Sequence, residues 1–409
     1  MREKQAHTFY DTPAPFDLAA RHGYYQVGCH KFINKVTALQ HASRDNSPIS
    51  WNFNDEVFSA LDWRKKISSN LLELYRQRAQ QLRDRYSYLV LCWSGGADST
   101  AILDAFLENG IRLDELVVLW PKTSSEGRYT PNKNDTRATN MMSEWDFSIK
   151  PRLDRVRGSH PELRITIGDT LLRPWMYDDR GDHIRIAEKH NYTTVERCKV
   201  LDEIISDRMR DHANMTTILG VGPVEIVLAD DWLVARFMDH PSTALSASDV
   251  TTDGWIRNVE FFYWTPDMPE IPVMQAQALA DYLNLVPWDR RYFPKMQLVR
   301  FGQFELVNEG DSNLAHRIRK KAIYPRWDHE TFQVDKPIDT HFRHDNFQWF
   351  YNDAHSKIFV DPWESCLRSH QSLIAEKFLI RHEGKIVQYK PFFSKLYPVC
   401  RLENYEMRG

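Results

Sequence analysis

The stretch VLCWSGGADSTAIL, residues 90–103, limits the fold more than any other part of the chain. An apolar run stops at Ser94-Gly95-Gly96 and resumes only after Ala97, Asp98, Ser99 and Thr100. The preceding YSYLVLCW is short and apolar, the pattern of a strand buried on both faces in a parallel sheet. The following STAILDAFLENG sets Ala101, Ile102, Ala105 and Phe106 on one helical face and ends at Gly110, a helix-terminating glycine. IRLDELVVLWP then gives a second apolar strand halted by Pro121. Strand, glycine turn, helix and strand in about thirty residues make a βαβ unit.

Further elements extend this unit. ELRITIGD reads as a third strand, and MTTILGV as a fourth that ends in Gly220-Val221-Gly222-Pro223. Before the unit, SALDWRKKISSNLLELYRQRAQQLRDRY carries Leu61, Ile67, Leu71, Leu72, Tyr75, Ala79 and Leu82 at helical spacing. TRATNMMSEWDFSIKPRLDRVR reads as helical up to Pro151, and VERCKVLDEIISDRMRDH as a helix with Val200, Ile204, Ile205 and Met209 on its apolar stripe. PVEIVLADDWLVARFM also reads as a helix, with Glu225 at its start. GWIRNVEFFYWTP looks strand-like, and a Pro-bounded helix follows it.

The expected fold class is α/β, a doubly wound and mostly parallel sheet with an N-terminal extension and an irregular, aromatic-rich C-terminal part. At 409 residues the chain exceeds the roughly 250–300 residues at which a single core stops growing. The expected division is 1–84 for the extension and its amphipathic helix, 85–290 for the nucleotide-binding α/β domain, and 291–409 for a C-terminal region that completes the active site. The turn-rich first 55 residues, with Pro13, Pro15 and Pro48, read as irregular.

Composition excludes several classes. With 53 Lys and Arg against 56 Asp and Glu the net charge is -3, so no global basic field drives nucleic-acid binding. The 5 cysteines form no CxxC pair, which argues against a zinc ribbon, an iron-sulfur site or a disulfide framework. No stretch approaches the roughly 18 apolar residues of a membrane span, and the N-terminus lacks the apolar core of a signal peptide. A cytoplasmic protein without a membrane partner is the expectation.

A loop that leaves the carboxyl end of a parallel strand and enters a helix presents unpaired backbone N–H groups and the positive end of the helix dipole. Gly95 and Gly96 allow an anion close to the backbone, and Ser94, Ser99 and Thr100 add hydroxyls. Asp98 brings negative charge where phosphates would repel it, so its useful role is to hold Mg2+ shared with those phosphates. The competing reading is a plain strand–turn–helix connection capped by Ser99.

Ser94 to Ser99 match every specified position of SGGxDS, and here the chain resembles the PP-loop family, the N-type ATP pyrophosphatases of adenine nucleotide alpha-hydrolase-like, HUP-like fold. It is neither a Walker A loop nor a GxGxxG fingerprint. The resemblance covers about residues 85–122. It implies ATP as the cosubstrate, a loop of residues 94–100, Ala97 included, around the β- and γ-phosphates, and attack of a substrate oxygen on the α-phosphorus to give an adenylate and pyrophosphate. A weaker similarity to asparagine synthetase-like enzymes runs through Thr217 to Glu225. It implies that Gly220 and Gly222 face the first loop and that Glu225 stands at one place of an acidic pair, with Val224 at the other. Asp98 and Glu225 are then the candidate metal ligands.

Cations must also offset the charge of departing pyrophosphate. The candidates lie in Arg317-Ile318-Arg319-Lys320-Lys321, with Lys320 and Lys321 expected to act beside Asp98 in catalysis; a solvated helix face is the competing reading. The acceptor is left open between a small molecule and a nucleic acid, and the nucleophile between ammonia, an amine and a sulfur group, supplied freely or by a partner protein. Met1-Arg2 is not the start of a class II glutaminase. The expected function is an ATP-dependent adenylating ligase or transferase. The alternatives are a nucleotide-binding or sensing module without turnover and a sulfonucleotide reductase-like protein, for which Cys400 lacks the expected surroundings. The aromatic runs 261–264 and 349–351 read either as core or as base-stacking platforms.

Overall fold

The computed structural model describes residues 20–33, 35–120, 145–169, 204–220, 224–229, 232–239, 259–285, 320, 322–327, 373–382 and 385–401. The centre is a parallel sheet. Strand β4 (Tyr88–Cys92) pairs on one side with β5 (Glu115–Trp120), which pairs with β6 (Arg164–Asp169). On its other side β4 pairs with β7 (Met215–Leu219), which pairs with β10 (Val259–Phe261). The order β10-β7-β4-β5-β6 is all parallel and flanked by helices, an arrangement compatible with a doubly wound fold. The central strands β4 and β5 are almost wholly apolar because both faces are covered. Leu89, Val90 and Leu91 of β4 and Leu116, Val117 and Val118 of β5 are fully buried.

Helix α4 (Ala97–Leu107) leaves β4 through the glycine turn, and its Ile102, Leu103, Ala105 and Phe106 enter the core. The helix before the sheet, α3 (Leu71–Arg85), is shorter than its periodicity suggests. Asn70 caps it by accepting a hydrogen bond from the Glu73 amide at 3.0 Å, so residues 59–69 stay outside. Its buried stripe is Leu71, Leu74, Tyr75, Arg78, Ala79 and Leu82. Helix α5 (Lys150–Ser159) carries Pro151 within its first turn, where the missing N–H costs nothing. A π turn over Trp145–Ile149 runs directly into this helix, so the expected stop at Pro151 is instead a passage within a helical run. Residues 204–211 are helical, as their spacing predicts.

Two expectations fail. The N-terminal region is not irregular: β1 (Tyr24–Val27), β2 (His30–Phe32) and β3 (Ile49–Asn52) form an antiparallel sheet, with helices α1 (Lys35–Arg44) and α2 (Asp55–Ser59) beside it. Strands of three or four residues are too short to display a period. Nor is the run from Pro223 to Met238 a helix. Strand β8 (Glu225–Ala229) pairs antiparallel with β9 (Trp232–Arg236), and β13 (Tyr397–Arg401) closes the other edge of β9. Each five-residue run is rich in strand formers, and Asp230-Asp231 divides them, so pairing prevails over the helical spacing that the combined run mimics. Helix α6 (Glu270–Leu285) follows the aromatic strand, and the hairpin of β11 (Leu379–His382) and β12 (Lys385–Tyr389) lies near the C-terminus.

One core joins these pieces. Trp51, Phe53, Phe58 and Trp63 of the N-terminal region pack with Phe237, Trp264 and Tyr397; the Trp63 and Tyr397 rings stack at 4.7 Å. Phe261, Phe262, Tyr263 and Trp264 are buried here, so this aromatic run is core and not a stacking platform. The run 349–351 lies outside the described residues.

Two ionic clusters pin the helices to the sheet. Glu260 on β10, 1% exposed, accepts from Arg78 at 2.8 Å, Tyr86 at 2.7 Å and Arg85 at 3.2 Å. Burial pushes its carboxyl up, but Arg78 and Arg21 outweigh burial and hold it below the usual range. At the amino ends of the strands, Glu115 accepts from Tyr88 at 2.9 Å and from Arg208 at 2.6 Å.

His22 packs edge-on to Phe261 at 4.7 Å, and burial lowers its pKa from 6.5 to about 3. The unfolded chain therefore binds a proton below pH 6.5 that the folded chain refuses. Stability from this group is complete above pH 6.5 and is lost as pH falls towards 3, by about 2 kcal/mol between pH 7 and pH 5. Urea titrations at the two pH values should show this loss in the wild type and its absence in His22→Phe.

Candidate functional site

The carboxyl ends of β4 and β7 lie side by side, with Cys92 opposite Leu219. The chain leaves β4 towards β5 on one side of the sheet, and β7's later partner β10 lies on the other. The strand order reverses between them, and in open α/β sheets ligands bind in the crevice at such a reversal. Both glycine-bearing turns picked out from the sequence, at 94–96 and at 220, leave from this point.

The turn leads into a helix start that no side chain caps. Gly95 takes φ 76°, and a Cβ on it would stand 2.6 Å from Cγ1 of Ile149, so both backbone and space demand glycine. The Gly95 carbonyl accepts from the buried Ser148 hydroxyl at 3.0 Å, which anchors the turn to the segment before α5. Gly96 differs. Its φ of -78° suits any residue, and a Cβ there would meet only Ser94 Oγ, at an ordinary 3.4 Å. The protein's own packing gives no reason for glycine at 96.

Gly96 is the N-cap of α4 and has no side chain to cap with, and the first intrahelical bond runs from the Thr100 amide to the Gly96 carbonyl at 3.0 Å. The amides of Ala97, Asp98 and Ser99 thus point out of the helix with no partner among the described residues. The hydroxyls divide their work. Ser99 accepts from the Ser94 amide at 3.1 Å and lies 3.2 Å from the Ser94 hydroxyl, which is exposed. Thr100, expected among the phosphate donors, is 1% exposed, and its hydroxyl accepts from the Trp93 indole at 3.1 Å. Gly220 comes close to this helix start: a Cβ on it would lie 3.4 Å from the Ser99 amide nitrogen.

Asp98 sits in the first turn of α4, where the helix dipole favours its charge. Its carbonyl accepts from the Tyr263 hydroxyl at 2.6 Å. Its carboxylate acts on three buried phenols. Tyr75, Tyr263 and Tyr324 all have their pKa raised, first by burial and then in part by the Asp98 charge. Tyr75 donates to the Ile323 carbonyl at 2.9 Å and accepts from Gln275 at 2.9 Å. The Tyr324 hydroxyl is buried within reach of two partners, the Asp98 carboxylate and the Tyr263 hydroxyl.

The other predicted residues fall as follows. Glu225 opens a strand, not a helix, and its carboxylate accepts from Arg236 at 2.6 Å; Val224 beside it is buried. Lys320 begins the segment that carries Tyr324, its carbonyl accepting from the Tyr324 amide at 2.8 Å. Gly222 and Lys321 lie outside the described residues. Among the described residues no three His, Cys, Asp or Glu side chains gather as a metal site. No described helix is long and apolar enough to cross a membrane. Sequence reasoning missed Tyr324 and Ser148, and placed Tyr263 only in an aromatic run; their approach to the loop depends on tertiary contacts alone.

The chain matches no family model, and no curated protein matches it. The resemblance in SGGADS therefore stands on its six residues and on the place in the sheet where they lie.

Proposed function

We propose that the turn 94–99 binds the phosphates of ATP and that the protein is an adenylating enzyme of the PP-loop type, releasing AMP and pyrophosphate. The observation that carries this reading is the uncapped start of α4 at the reversal of the sheet, with three unpartnered amides and an open Ser94 hydroxyl. An anion at that place satisfies donors that the fold leaves unsatisfied. Gly96 adds independent support, because a glycine without a packing role is explained by a ligand that approaches its backbone.

The donor set fits magnesium only in the manner usual for nucleotide sites, with one carboxylate and the phosphates sharing the ion. Asp98 is that carboxylate; Glu225 is already engaged by Arg236. Bound magnesium supplies charge neutralisation to the phosphates. The protein's own part is to hold the leaving pyrophosphate on the amides of Ala97, Asp98 and Ser99, to orient it through Ser94, and to fix the first turn through Tyr263. A sensing module that binds ATP without turnover is the second reading, favoured by the Glu225–Arg236 pair.

Gly96→Ala separates a ligand site from a bare turn. Its backbone angles accept alanine, and the fold should cost no more than about 1 kcal/mol, the usual loss when alanine stands at an N-cap. Calorimetric titration should nevertheless show ATP affinity reduced by about tenfold or more, since the methyl stands where a phosphate oxygen must approach. ATP affinity equal to that of the wild type would overturn the assignment.

A further inference from the structure

A second concavity, of about 270 Å³, lies along the outer side of α4. Its floor is Ala97, Ala101 and Ala105, which recur every fourth residue and so share one helical face. Their small side chains leave the space open. One wall is the first turn of α3, and the other is the segment 324–327, with Tyr324 and Trp327 as its rings.

The charges of this cleft cancel in pairs except for one. Arg76 holds Glu73 through bonds of 2.8 and 2.7 Å, and Arg326 pairs with Glu108. Asp104, one turn beyond Ala101, receives no hydrogen bond or ion pair from any described residue. Burial raises its carboxyl pKa, and the charges of Arg152, Arg326 and Arg155 act on it in the opposite sense. The Tyr324 ring is 1% exposed and lines the same cleft, while its hydroxyl lies beside the Asp98 carboxylate and the Tyr263 hydroxyl. Asp104 is thus a carboxylate without a hydrogen-bond donor among the described residues in a pocket with aromatic walls, and such groups are rare in a folded chain unless something binds them.

We propose that this cleft binds a small molecule bearing an amine beside an apolar, planar body, with Asp104 accepting from the amine and Tyr324 and Trp327 flanking the body. The volume suits a metabolite and excludes a strand of nucleic acid or a folded partner. Arg152 covers the Trp327 ring at 4.7 Å, so only the remainder of that ring serves the cleft. The site shares α4 with the phosphate turn, yet it stands whether or not that turn hydrolyses ATP.

Calorimetric titration of the full chain with benzylamine, benzyl alcohol and benzoate tests the inference. Benzylamine should bind saturably, benzyl alcohol about tenfold more weakly or worse, and benzoate not at all. Asp104→Asn keeps the shape and removes the charge; it should weaken benzylamine by about tenfold or more while leaving ATP affinity unchanged. Ala101→Leu, which fills the floor without altering charge, should abolish benzylamine binding. Failure of benzylamine to bind the wild type, or equal binding to the wild type and both variants, would overturn the site. ATP titration of the same samples reports on the phosphate turn separately, so the two readings fail independently.

Discussion

Asp98→Asn should lower the formation of AMP and pyrophosphate from ATP by about 100-fold or more, the scale on which a preorganised charge-stabilising group contributes to a transition state. The substitution preserves volume and the carbonyl that accepts from Tyr263, so the melting temperature should hold. The loss should fall on kcat more than on KM for ATP, because the amides of Ala97, Asp98 and Ser99 bind the phosphates whether or not the side chain carries charge. Melting that drops in step with activity would instead make Asp98 a structural residue. Retained activity would remove it from the site.

The largest effect on stability should come from Glu260→Gln. Arg78 is 0% exposed, and its partner Glu260 is 1% exposed, so removing the carboxylate strands a buried cation. Breaking such a pair costs about 3–5 kcal/mol. Arg21 and Arg85 keep Asp267 as a partner at 2.7 Å each, so the penalty concentrates on Arg78. A second change, Arg78→Met, should therefore restore part of the loss, since an apolar side chain of similar volume removes the unpaired charge. Denaturant titration of the single and double variants measures both steps; a double variant less stable than Glu260→Gln would contradict this account of the cluster.

What the sequence disclosed depended on whether neighbours in the chain are neighbours in the fold. Strands β4 and β5 were legible because burial on both faces leaves an unbroken apolar run, and the turn 94–96 because two glycines interrupt such a run. Strands β8 and β9 were misread because EIVLA and WLVAR satisfy a helical spacing when joined; only the pairing of Glu225 with Arg236 separates the alternatives. The start of α3 turned on a single residue, Asn70, whose cap outweighs the apolar residues before it. Arg78 lies on the buried stripe of α3, which apolar spacing does not reveal, since its partner Glu260 is 182 residues away.

The site divides in the same way. The helix start, Gly95 and Asp98 could be named from their spacing. That Gly95 must clear Ile149, that the Thr100 hydroxyl is taken by Trp93, and that Tyr324 stands beside Asp98 are facts of tertiary packing. Lys320 draws notice for its charge within a basic run, whereas Tyr324, four residues on, reaches the first turn of α4 and gives no such signal.

The most direct test of the central claim is to incubate the purified protein with ATP and magnesium, alone and with pools of metabolites or nucleic acid, and to measure AMP and pyrophosphate together. An adenylating enzyme releases the two in equal amounts, in response to one pool, and ceases to do so in Asp98→Asn. Release of ADP and orthophosphate, or no release from any pool although ATP binds, would contradict it.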